Sequence, residues 1–383
     1  MQNFTFHNPT RILFGEGQIA NMAAHIPAGA RILVTYGGGS IKQNGVYDQV
    51  VKALEGRTWF EFGGIEVNPH FETLMQATAL VKEKDINFLL AVGGGSVVDG
   101  TKLIAAAIYF EGDPWDILAK SATFTKAMPL ACVLTLPATG TESNGNSVIT
   151  KAATQEKLAF GSPLVYPVFA VLDPATTFSL PAKQIANGVV DAFVHTIEQY
   201  LTYPVDAKVQ DRAAEGLLMT LIEEGPKALH EPNNYAVRAN VMWAATQALN
   251  GLIGVGVPQD WATHMIGHEI TALHGLDHAQ TLAIVLPSLM NVQRKQKSAK
   301  IQQFGRRVFG LEGDEAQLID RTIGATAEFF EKMGLPTRLS AYKIPETSIA
   351  TLVDNLIKHG GTSLGEHKDI TTEVSRKILQ GAF

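Results

Sequence analysis

Histidine and aspartate recur at helical spacing in the second half of the chain. Three pairs stand four residues apart: Asp191 with His195, His264 with His268, and His274 with His278. In an α-helix, side chains at positions i and i+4 project from one face, so each pair can direct its polar atoms at a common point. Imidazole and carboxylate ligands suit zinc and iron(II), and a metal held by few side chains has room to polarise a substrate oxygen.

Histidine on an apolar helix is often only a hydrogen-bonded core or surface residue. Four of the 11 histidines, however, fall within residues 261–280, a segment otherwise rich in alanine, leucine and glycine. Independent structural roles explain such a concentration poorly. The pattern therefore predicts a site for one divalent metal, zinc or iron(II).

Two runs of three glycines each follow a predicted strand and precede a predicted helix. The first is Gly37, Gly38 and Gly39 before Ser40, and the second is Gly93, Gly94 and Gly95 before Ser96. Glycine lets the backbone approach a phosphate closely, and the amino end of a helix presents free N–H groups to it. A glycine run alone is often a tight turn, and neither run matches the Gly-x-Gly-x-x-Gly of the common dinucleotide fold. The strand-to-helix context favours phosphate loops of a related but different arrangement.

A third polar stretch, residues 135–144, follows the predicted strand that contains Cys132. If the glycine loops hold a nicotinamide dinucleotide, its nicotinamide or ribose could be lined by the hydroxyls of Thr135 and Thr139 and the amide of Asn144. Threonine, glycine, serine and asparagine are also good turn formers, so a capped loop explains the same residues. The residues alone leave both interpretations open.

Periodicity predicts two domains, as the length of 383 residues also suggests. In residues 1–180, strands alternate with helices, which is typical of a parallel sheet covered by helices. The predicted strands are 31–36, 59–62, 87–92, 130–136 and 169–172, with 4–14 as a flanking strand or hairpin, and the predicted helices are 41–54, 71–84 and 96–108. Residues 181–383 read as an all-α domain, with helices over 182–200, 205–229, 235–253, 259–273, 278–293, 314–333, 346–359 and 370–382.

Composition excludes several classes of protein. The net charge of −6 and the lack of a Lys/Arg cluster argue against nucleic acid or membrane partners, and the basic run 294–300 is interpreted as a solvated helix face. No apolar run reaches membrane-spanning length and the first residues do not resemble a signal peptide, so a cytoplasmic location is expected. Cys132, the only cysteine, is expected to be buried in a strand, and it permits neither an internal disulfide nor a thiolate cluster.

These residues together resemble the iron-containing, group III alcohol dehydrogenases over nearly the whole chain. The shared motifs are Gly-Gly-Gly-Ser-x-x-Asp at 93–99, Thr-x-x-x-Thr-Gly-Thr-Glu at 135–142, Leu-Asp-Pro at 172–174, Asp-x-x-x-His at 191–195, and two histidines fourteen apart at 264 and 278. The Thr-Tyr-Gly-Gly-Gly-Ser loop at 35–40 is similar to that of the bacterial NADPH-dependent aldehyde reductases of the family, also called butanol dehydrogenases.

The resemblance implies a Rossmann-like nucleotide-binding domain, a helical metal domain of dehydroquinate synthase-like architecture, and a cleft between them. It implies Asp191, His195, His264 and His278 as metal ligands and catalytic centre, with His268 near the nicotinamide or substrate. It also places Asn68, Asp99 and Lys157 among the cofactor-binding residues and leaves His274 without a role. The implied activity is hydride transfer between NADP(H) and short- to medium-chain aldehydes or primary alcohols, favouring aldehyde reduction, in a homodimer.

The sequence also departs from the family in ways that bear on specificity. NAD-using relatives often carry an acidic side chain after the first strand, where this chain has Tyr36, Gly37 and Gly38. No carboxylate there repels a 2′-phosphate, and Ser40 and Lys42 could bind it, which favours NADP(H). Asp260 and Trp261 replace residues that are commonly small ahead of His264, so the substrate preference does not carry over directly.

Two other functions compete with this interpretation. A metal- and nucleotide-dependent polyol or polyol-phosphate dehydrogenase, or a cyclase such as dehydroquinate synthase, would share the fold. The phosphorylated, acidic substrates of such enzymes need a Lys/Arg cluster, which the metal helices lack. A nucleotide-binding regulatory protein with a structural metal is the second alternative, but structural zinc is usually closed by cysteines and only Cys132 is present.

Overall fold

The computed structural model describes all 383 residues, Met1–Phe383. The chain divides into two compact units. The first, here the sheet unit, contains residues 7–180 and 232–246. The second, here the helical unit, contains residues 1–6, 181–231 and 247–383.

The sheet unit is built on six parallel strands. The first eight strands of the chain are β1 (Arg11–Phe14), β2 (Arg31–Tyr36), β3 (Thr58–Phe62), β4 (Phe88–Gly94), β5 (Leu130–Leu136), β6 (Asn146–Lys151), β7 (Glu156–Gly161) and β8 (Phe169–Leu172). The sheet order is β1-β8-β5-β4-β2-β3, with every neighbouring pair parallel. β6 and β7 form a separate antiparallel hairpin. The central strands are almost continuously apolar because both of their faces are covered.

Helices cover this sheet on both faces. They include α1 (Val46–Ala53), α2 (Phe71–Glu83), α3 (Gly95–Ala107) and α4 (Asp116–Ala119). One apolar core contains Leu89 of β4 with Leu74 of α2 and Ile104 of α3. A second core contains Leu90 of β4 with Val50 of α1. Successive residues of one strand thus feed opposite cores, as strand geometry requires.

The remaining elements are mostly helical. They are α5 (Ala182–Tyr200), α6 (Lys208–His230), α7 (Tyr235–Ala248), α8 (Ala262–His274), α9 (His278–Val292), α10 (Ser298–Arg307), α11 (Glu315–Lys332), α12 (Ser348–Lys358) and α13 (Thr372–Gly381), with the short strands β9 (Ser363–Leu364) and β10 (Ile370–Thr371). These elements belong to the helical unit, except α7, most of which lies in the sheet unit. No helix combines the length and apolar character needed to cross a bilayer.

The predicted fold class, a parallel α/β sheet followed by helices, is confirmed, but the structure differs from the predictions at several local elements. Within the predicted strand or hairpin over 4–14, only Arg11–Phe14 is a strand. The predicted helix over 41–54 is a short 3-10 turn at Ser40–Lys42 followed by α1, because Gly45 with φ 79° separates them. The β6–β7 hairpin and helix α10 were not predicted.

The basic run 294–300 is not a solvated helix face. Lys297 and Lys300 are 5% and 6% exposed. The Lys297 ammonium lies 2.7 Å from Asp260 and 2.8 Å from Glu366, and Lys300 pairs with Asp211. The prediction was wrong because the acidic partners lie far away in the sequence. Cys132 is buried in β5, as expected.

Candidate metal centre

Three helices of the helical unit supply the predicted metal ligands. α5 carries Asp191 and His195, one turn apart on the same face. α8 carries His264, and α9 begins at His278. Gly275, in the left-handed region at φ 71°, ends α8, and the next helix starts with a capping box of Asp277 and Gln280. This tight turn brings the first residue of α9 back toward α8.

The ligand atoms converge around one oxygen of Asp191. His195 Nε2 lies 3.5 Å from Asp191 Oδ1, and the Nε2 atoms of His264 and His278 each lie 3.8 Å from it. Asp191, His195 and His264 form a compact group in which the ligand atoms lie within 4.8 Å of one another. The rings of His264 and His278 are 5.0 Å apart. Three imidazole nitrogens thus surround one carboxylate oxygen, at separations that a metal ion between them would bridge.

Glu198 belongs to this centre although the sequence interpretation gave it no role. It is 2% exposed on α5, its Oε2 contacts His264 Nδ1, and its Oε1 accepts a hydrogen bond from the Thr263 backbone N–H at 2.7 Å. A carboxylate on the far nitrogen of a histidine fixes the ring orientation and raises the basicity of the other nitrogen. Glu198 stands three residues after His195 on the same helix, and this spacing could have indicated that it lies near the metal ligands.

The donor set fits a divalent metal. His264 Nε2 is buried and has no hydrogen-bond partner, which is costly unless a cation occupies the space in front of it. Burial lowers the pKa of His264, but the carboxylates of Glu198 and Asp191 outweigh it and raise the pKa to about 9. The pocket therefore favours positive charge at this nitrogen, and a metal ion would supply it there. Asp191, His195, His264 and His278 would hold that ion.

The other predicted residues of α8 border the centre. The His268 ring lies 5.1 Å from the His278 ring and 6.3 Å from the His264 ring. The Trp261 ring packs 5.4 Å from His264 and 6.2 Å from His195, and its backbone adopts a left-handed φ of 63° at the start of α8. His268 thus lies next to the predicted ligands, and its predicted place near the nicotinamide or substrate stays a prediction. His274, at the end of α8, makes no ring contact with them.

Both glycine runs lie at the carboxyl ends of neighbouring parallel strands in the sheet unit. Gly37 follows β2, and Gly94 and Gly95 connect β4 to the thirteen-residue helix α3. A Cβ on Gly95 would lie 2.6 Å from Thr139 Oγ1, so only glycine fits there, whereas a Cβ on Gly38 would meet nothing within 4 Å. The first N–H groups of α3 are directed to the sheet edge at which ligands of parallel sheets gather.

Asn68, Ser96 and Lys157 come together beside the second glycine run. The Asn68 backbone N–H donates to Ser96 Oγ at 3.3 Å, and Lys157 Nζ donates to Asn68 Oδ1 at 2.9 Å. Asn68 holds a left-handed φ of 57°, which asparagine tolerates. Residues that are far apart in sequence therefore form one polar surface at the amino end of α3.

Asp99 and Asn144 instead organise the loop that follows β5. Asp99 accepts hydrogen bonds from the Thr141 hydroxyl at 2.6 Å and the Val148 N–H at 2.9 Å. Asn144 Nδ2 donates to Gly140 O at 2.9 Å. Thr135 and Asn144 are buried, and Thr139 lies against Gly95. Asn144 therefore caps its own loop in this structure, and its contact with a nucleotide stays a prediction.

Lys102 on α3 holds this loop from within and was not predicted. Its ammonium is fully buried and donates to oxygens of Thr141, Asn144 and Asn146 at 2.7 to 3.2 Å. Burial lowers the pKa of Lys102 to about 8, against the opposing attraction of Asp99. At neutral pH the ammonium is still charged, so it acts as an internal cation for the loop.

A carboxylate lies near the first glycine run, contrary to the sequence argument. Glu61 of β3 contacts Lys42, with 3.1 Å between Nζ and Oε1. The argument considered only the residues after β2, and Glu61 comes from the neighbouring strand. Lys42 is thus already paired before any phosphate arrives.

The contact between Glu198 and His264 supports a prediction about metal affinity. Glu198→Gln should weaken zinc binding about tenfold to a hundredfold, the usual effect of losing a carboxylate behind a ligand histidine. The glutamine keeps the size of the side chain and can still accept from Thr263. Titration of the metal-free protein with zinc against a competing chelator measures the change, with Glu223→Gln, an exposed glutamate of α6, as the control. Unchanged affinity would remove Glu198 from the centre.

Comparison with known proteins agrees with this geometry. The sequence-family model of the iron-containing alcohol dehydrogenases matches residues 9–174. The family model described as "Fe-containing alcohol dehydrogenase family, C-terminal" matches residues 185–383. The NADPH-dependent aldehyde reductase YqhD of Escherichia coli is 62% identical over the full length of both chains. A probable NADH-dependent butanol dehydrogenase of Bacillus subtilis is 41% identical, again over both full lengths.

Solved structures give the same relationship. The crystal structure of Escherichia coli YqhD superposes with a TM-score of 0.99 at 61% identity, covering 100% of this chain and 99% of the other. The NADH-dependent butanol dehydrogenase A of Thermotoga maritima superposes with a TM-score of 0.96 at 40% identity, with 100% and 99% coverage. Both halves of the sequence, its fold and its full-length relatives therefore place this chain in the iron-containing alcohol dehydrogenase family.

Proposed function

We propose that this protein transfers hydride between NADP(H) and short- to medium-chain aldehydes or primary alcohols, with aldehyde reduction favoured. The observation that carries the proposal is the convergence of Asp191, His195, His264 and His278, with Glu198 behind His264. Family membership makes the protein an oxidoreductase. The names of the relatives, an NADPH-dependent aldehyde reductase and butanol dehydrogenases, support the choice of coenzyme and substrate.

The residues have separate tasks in this proposal. The four ligands hold one divalent ion, zinc or iron(II), which supplies Lewis acidity to the substrate oxygen. His268 lies beside the ligands and can hold or move a proton at that oxygen. Trp261 provides an apolar ring next to His195 and His264, which suits an aliphatic substrate. The sheet unit would bind the nucleotide through the glycine runs, Ser40, Asn68, Ser96 and Lys157.

The same reasoning extends to the other parts of the proposal. Residues 1–180 would act as the nucleotide-binding domain and residues 181–383 as the metal domain. We further propose that the protein works in the cytoplasm as a homodimer. A phosphorylated polyol is less suitable as substrate, because the ligands lie against the Glu198 carboxylate and the apolar ring of Trp261, and neither attracts a phosphate.

One assay tests the activity. Purified protein loaded with zinc or iron(II) is mixed with NADPH and butanal, and the nicotinamide absorbance is followed. We expect steady NADPH oxidation that stops when a chelator removes the metal and returns when the metal is restored. A panel of aldehydes with NADPH and with NADH, and a phosphorylated polyol with NADP⁺ and with NAD⁺, distinguishes the competing functions. Turnover of the phosphorylated polyol alone would contradict the proposal.

The preference for NADPH can be tested at Gly38. Gly38→Asp introduces a carboxylate next to the expected 2′-phosphate, and the side chain fits because a Cβ there meets nothing within 4 Å. Repulsion should lower the ratio of kcat/KM for NADPH to that for NADH by about tenfold, the effect of ~1.4 kcal/mol. Gly38→Asn, which has the same shape without charge, is the matched control. An unchanged ratio in the aspartate variant would remove this loop from phosphate recognition.

A further inference from the structure

Four side chains of the sheet unit form a contact cluster beside the first glycine run. Lys42 Nζ lies 4.8 Å from the centre of the Tyr36 ring, 4.7 Å from that of Tyr47, and 3.1 Å from Glu61 Oε1. The Tyr47 hydroxyl donates to Glu61 Oε2 at 2.6 Å. We name Tyr36, Lys42, Tyr47 and Glu61 the Lys42 cluster. Its cation is held between two aromatic faces and one carboxylate.

The backbone fixes this cluster against the predicted phosphate loop. β2 and β3 are parallel neighbours, with Thr35 opposite Phe62, so Glu61 lies near the carboxyl end of β2. The segment after β3 also bonds to the loop itself, because the Gly64 N–H donates to Gly37 O at 2.9 Å. Gly63 has no side chain, and a Cβ there would lie 2.4 Å from the Tyr36 ring. The Tyr36 ring therefore packs against the segment that follows Glu61, and this packing holds Glu61 beside the first glycine run.

The cluster is electrically neutral and accessible. The hydrogen bond from Tyr47 and the ion pair with Lys42 lower the pKa of the Glu61 carboxyl although its partial burial opposes them, so Glu61 is ionised at neutral pH. The Lys42 and Glu61 side chains are 39% and 37% exposed. A ligand at the glycine run can reach Lys42, but it meets an ammonium whose charge Glu61 already balances.

We propose that Glu61 sets the coenzyme preference of this chain by holding Lys42 in an ion pair that a 2′-phosphate must share. This inference rests on the proposed function, because only an NADP(H)-binding chain meets a 2′-phosphate at this loop. A phosphate monoester carries about −1.5 to −2 charge at neutral pH, whereas the hydroxyl of NADH carries none. Glu61 therefore weakens NADPH binding without affecting NADH, and the loss of its charge should increase discrimination in favour of NADPH.

Glu61→Gln is the direct test. The glutamine can still accept from the Tyr47 hydroxyl, so the cluster keeps its shape while Lys42 gains an unbalanced charge. We expect a threefold to fivefold lower KM for NADPH, on the order of one exposed ion pair, with the KM for NADH changed less than twofold. The control is Glu83→Gln, which removes an exposed glutamate paired with Lys84 at the end of α2. This control has the same change in net charge but should leave both coenzymes unaffected.

Lys42→Met separates the ion pair from direct repulsion. This variant should raise the KM for NADPH and spare NADH. In its background, Glu61→Gln should have less than half of its original effect, because the carboxylate acts mainly through Lys42. An unchanged NADPH/NADH ratio in Glu61→Gln, an equal change for both coenzymes, or a full effect of Glu61→Gln without Lys42 would overturn the proposal.

A binding measurement keeps this test independent of catalysis. Titration calorimetry with adenosine 2′,5′-bisphosphate and with 5′-AMP compares ligands that differ only in the 2′-phosphate. Glu61→Gln should bind the bisphosphate threefold to fivefold more tightly and 5′-AMP equally well. If the wild-type protein oxidised neither coenzyme with any aldehyde but this binding pattern appeared, the proposed activity would fail and the role of Glu61 would stand. If turnover occurred and the binding pattern did not, only the role of Glu61 would fail.

Discussion

Replacing His264 by alanine should abolish metal binding and reduce aldehyde turnover by about a thousandfold or more, since a Lewis acid contributes several kcal/mol of transition-state stabilisation. In the proposed centre, His264 is held on both sides of its ring by carboxylates. Its Nδ1 contacts Glu198, and its Nε2 faces Asp191 with no hydrogen-bond partner. Alanine removes one ligand and leaves the Glu198 carboxylate without its partner.

Three measurements check this result. Elemental analysis should find no zinc or iron above background in His264→Ala. Added zinc should raise the Tm of the wild-type protein, because a ligand that binds only the native state stabilises it, and should leave the Tm of the variant unchanged. Nucleotide affinity, measured with NADPH by fluorescence, should stay within about twofold, since His264 is not among the residues proposed to bind the nucleotide.

His268→Ala is the matched control for this experiment. The residue lies on the same helix one turn later, and its ring is 6.3 Å from that of His264. The proposed function gives it a proton-handling role and no place among the ligands, so turnover should fall while the metal content stays normal. Loss of metal in His268→Ala would make His268 a ligand. Full activity in His264→Ala would eliminate the assigned centre.

Local spacing predicted only the parts of this centre that lie within one helix. Asp191 and His195 on α5 follow directly from the i and i+4 rule. The approach of His278 depends on the turn between α8 and α9, which Gly275 and the capping residue Asp277 create. Those residues are recognisable as helix stop and start signals, but they give no distance. The resemblance to a known family, and not periodicity, selected His264 and His278 from four candidates.

Two errors in the sequence interpretation share one physical cause, which is partners distant in the chain, whereas the missed hairpin has a local cause. A run with three lysines and an arginine normally covers a solvated face, yet Lys297 is buried because Asp260 and Glu366 meet it there. The sequence interpretation overlooked Glu61 beside the first glycine run because Glu61 comes from the neighbouring strand β3. The β6–β7 hairpin was missed because its turn, residues 152–155, contains no glycine, proline or asparagine.

Replacing Lys102 by methionine should destabilise the protein by about 3–5 kcal/mol, the usual cost of removing one partner from a buried charged network. The ammonium is fully buried and donates to oxygens of Thr141, Asn144 and Asn146. Methionine fills most of the same volume but removes the charged donor that these oxygens share. It also leaves Asp99, which is 9% exposed, without the nearby positive charge.

Urea denaturation of the two variants Lys102→Met and Lys120→Met measures the difference. Lys120 is the matched control because its side chain is 71% exposed and pairs only with Asp116 on α4. Its removal should change the free energy of unfolding by less than about 1 kcal/mol. Adding Asp99→Asn to Lys102→Met should recover part of the loss, since it removes the carboxylate that the lysine balanced. Equal stability of Lys102→Met and Lys120→Met would show that the loop after β5 does not depend on its internal cation. If amide hydrogen exchange becomes faster in Lys102→Met only within residues 139–148, this loop is the segment that the Lys102 ammonium stabilises.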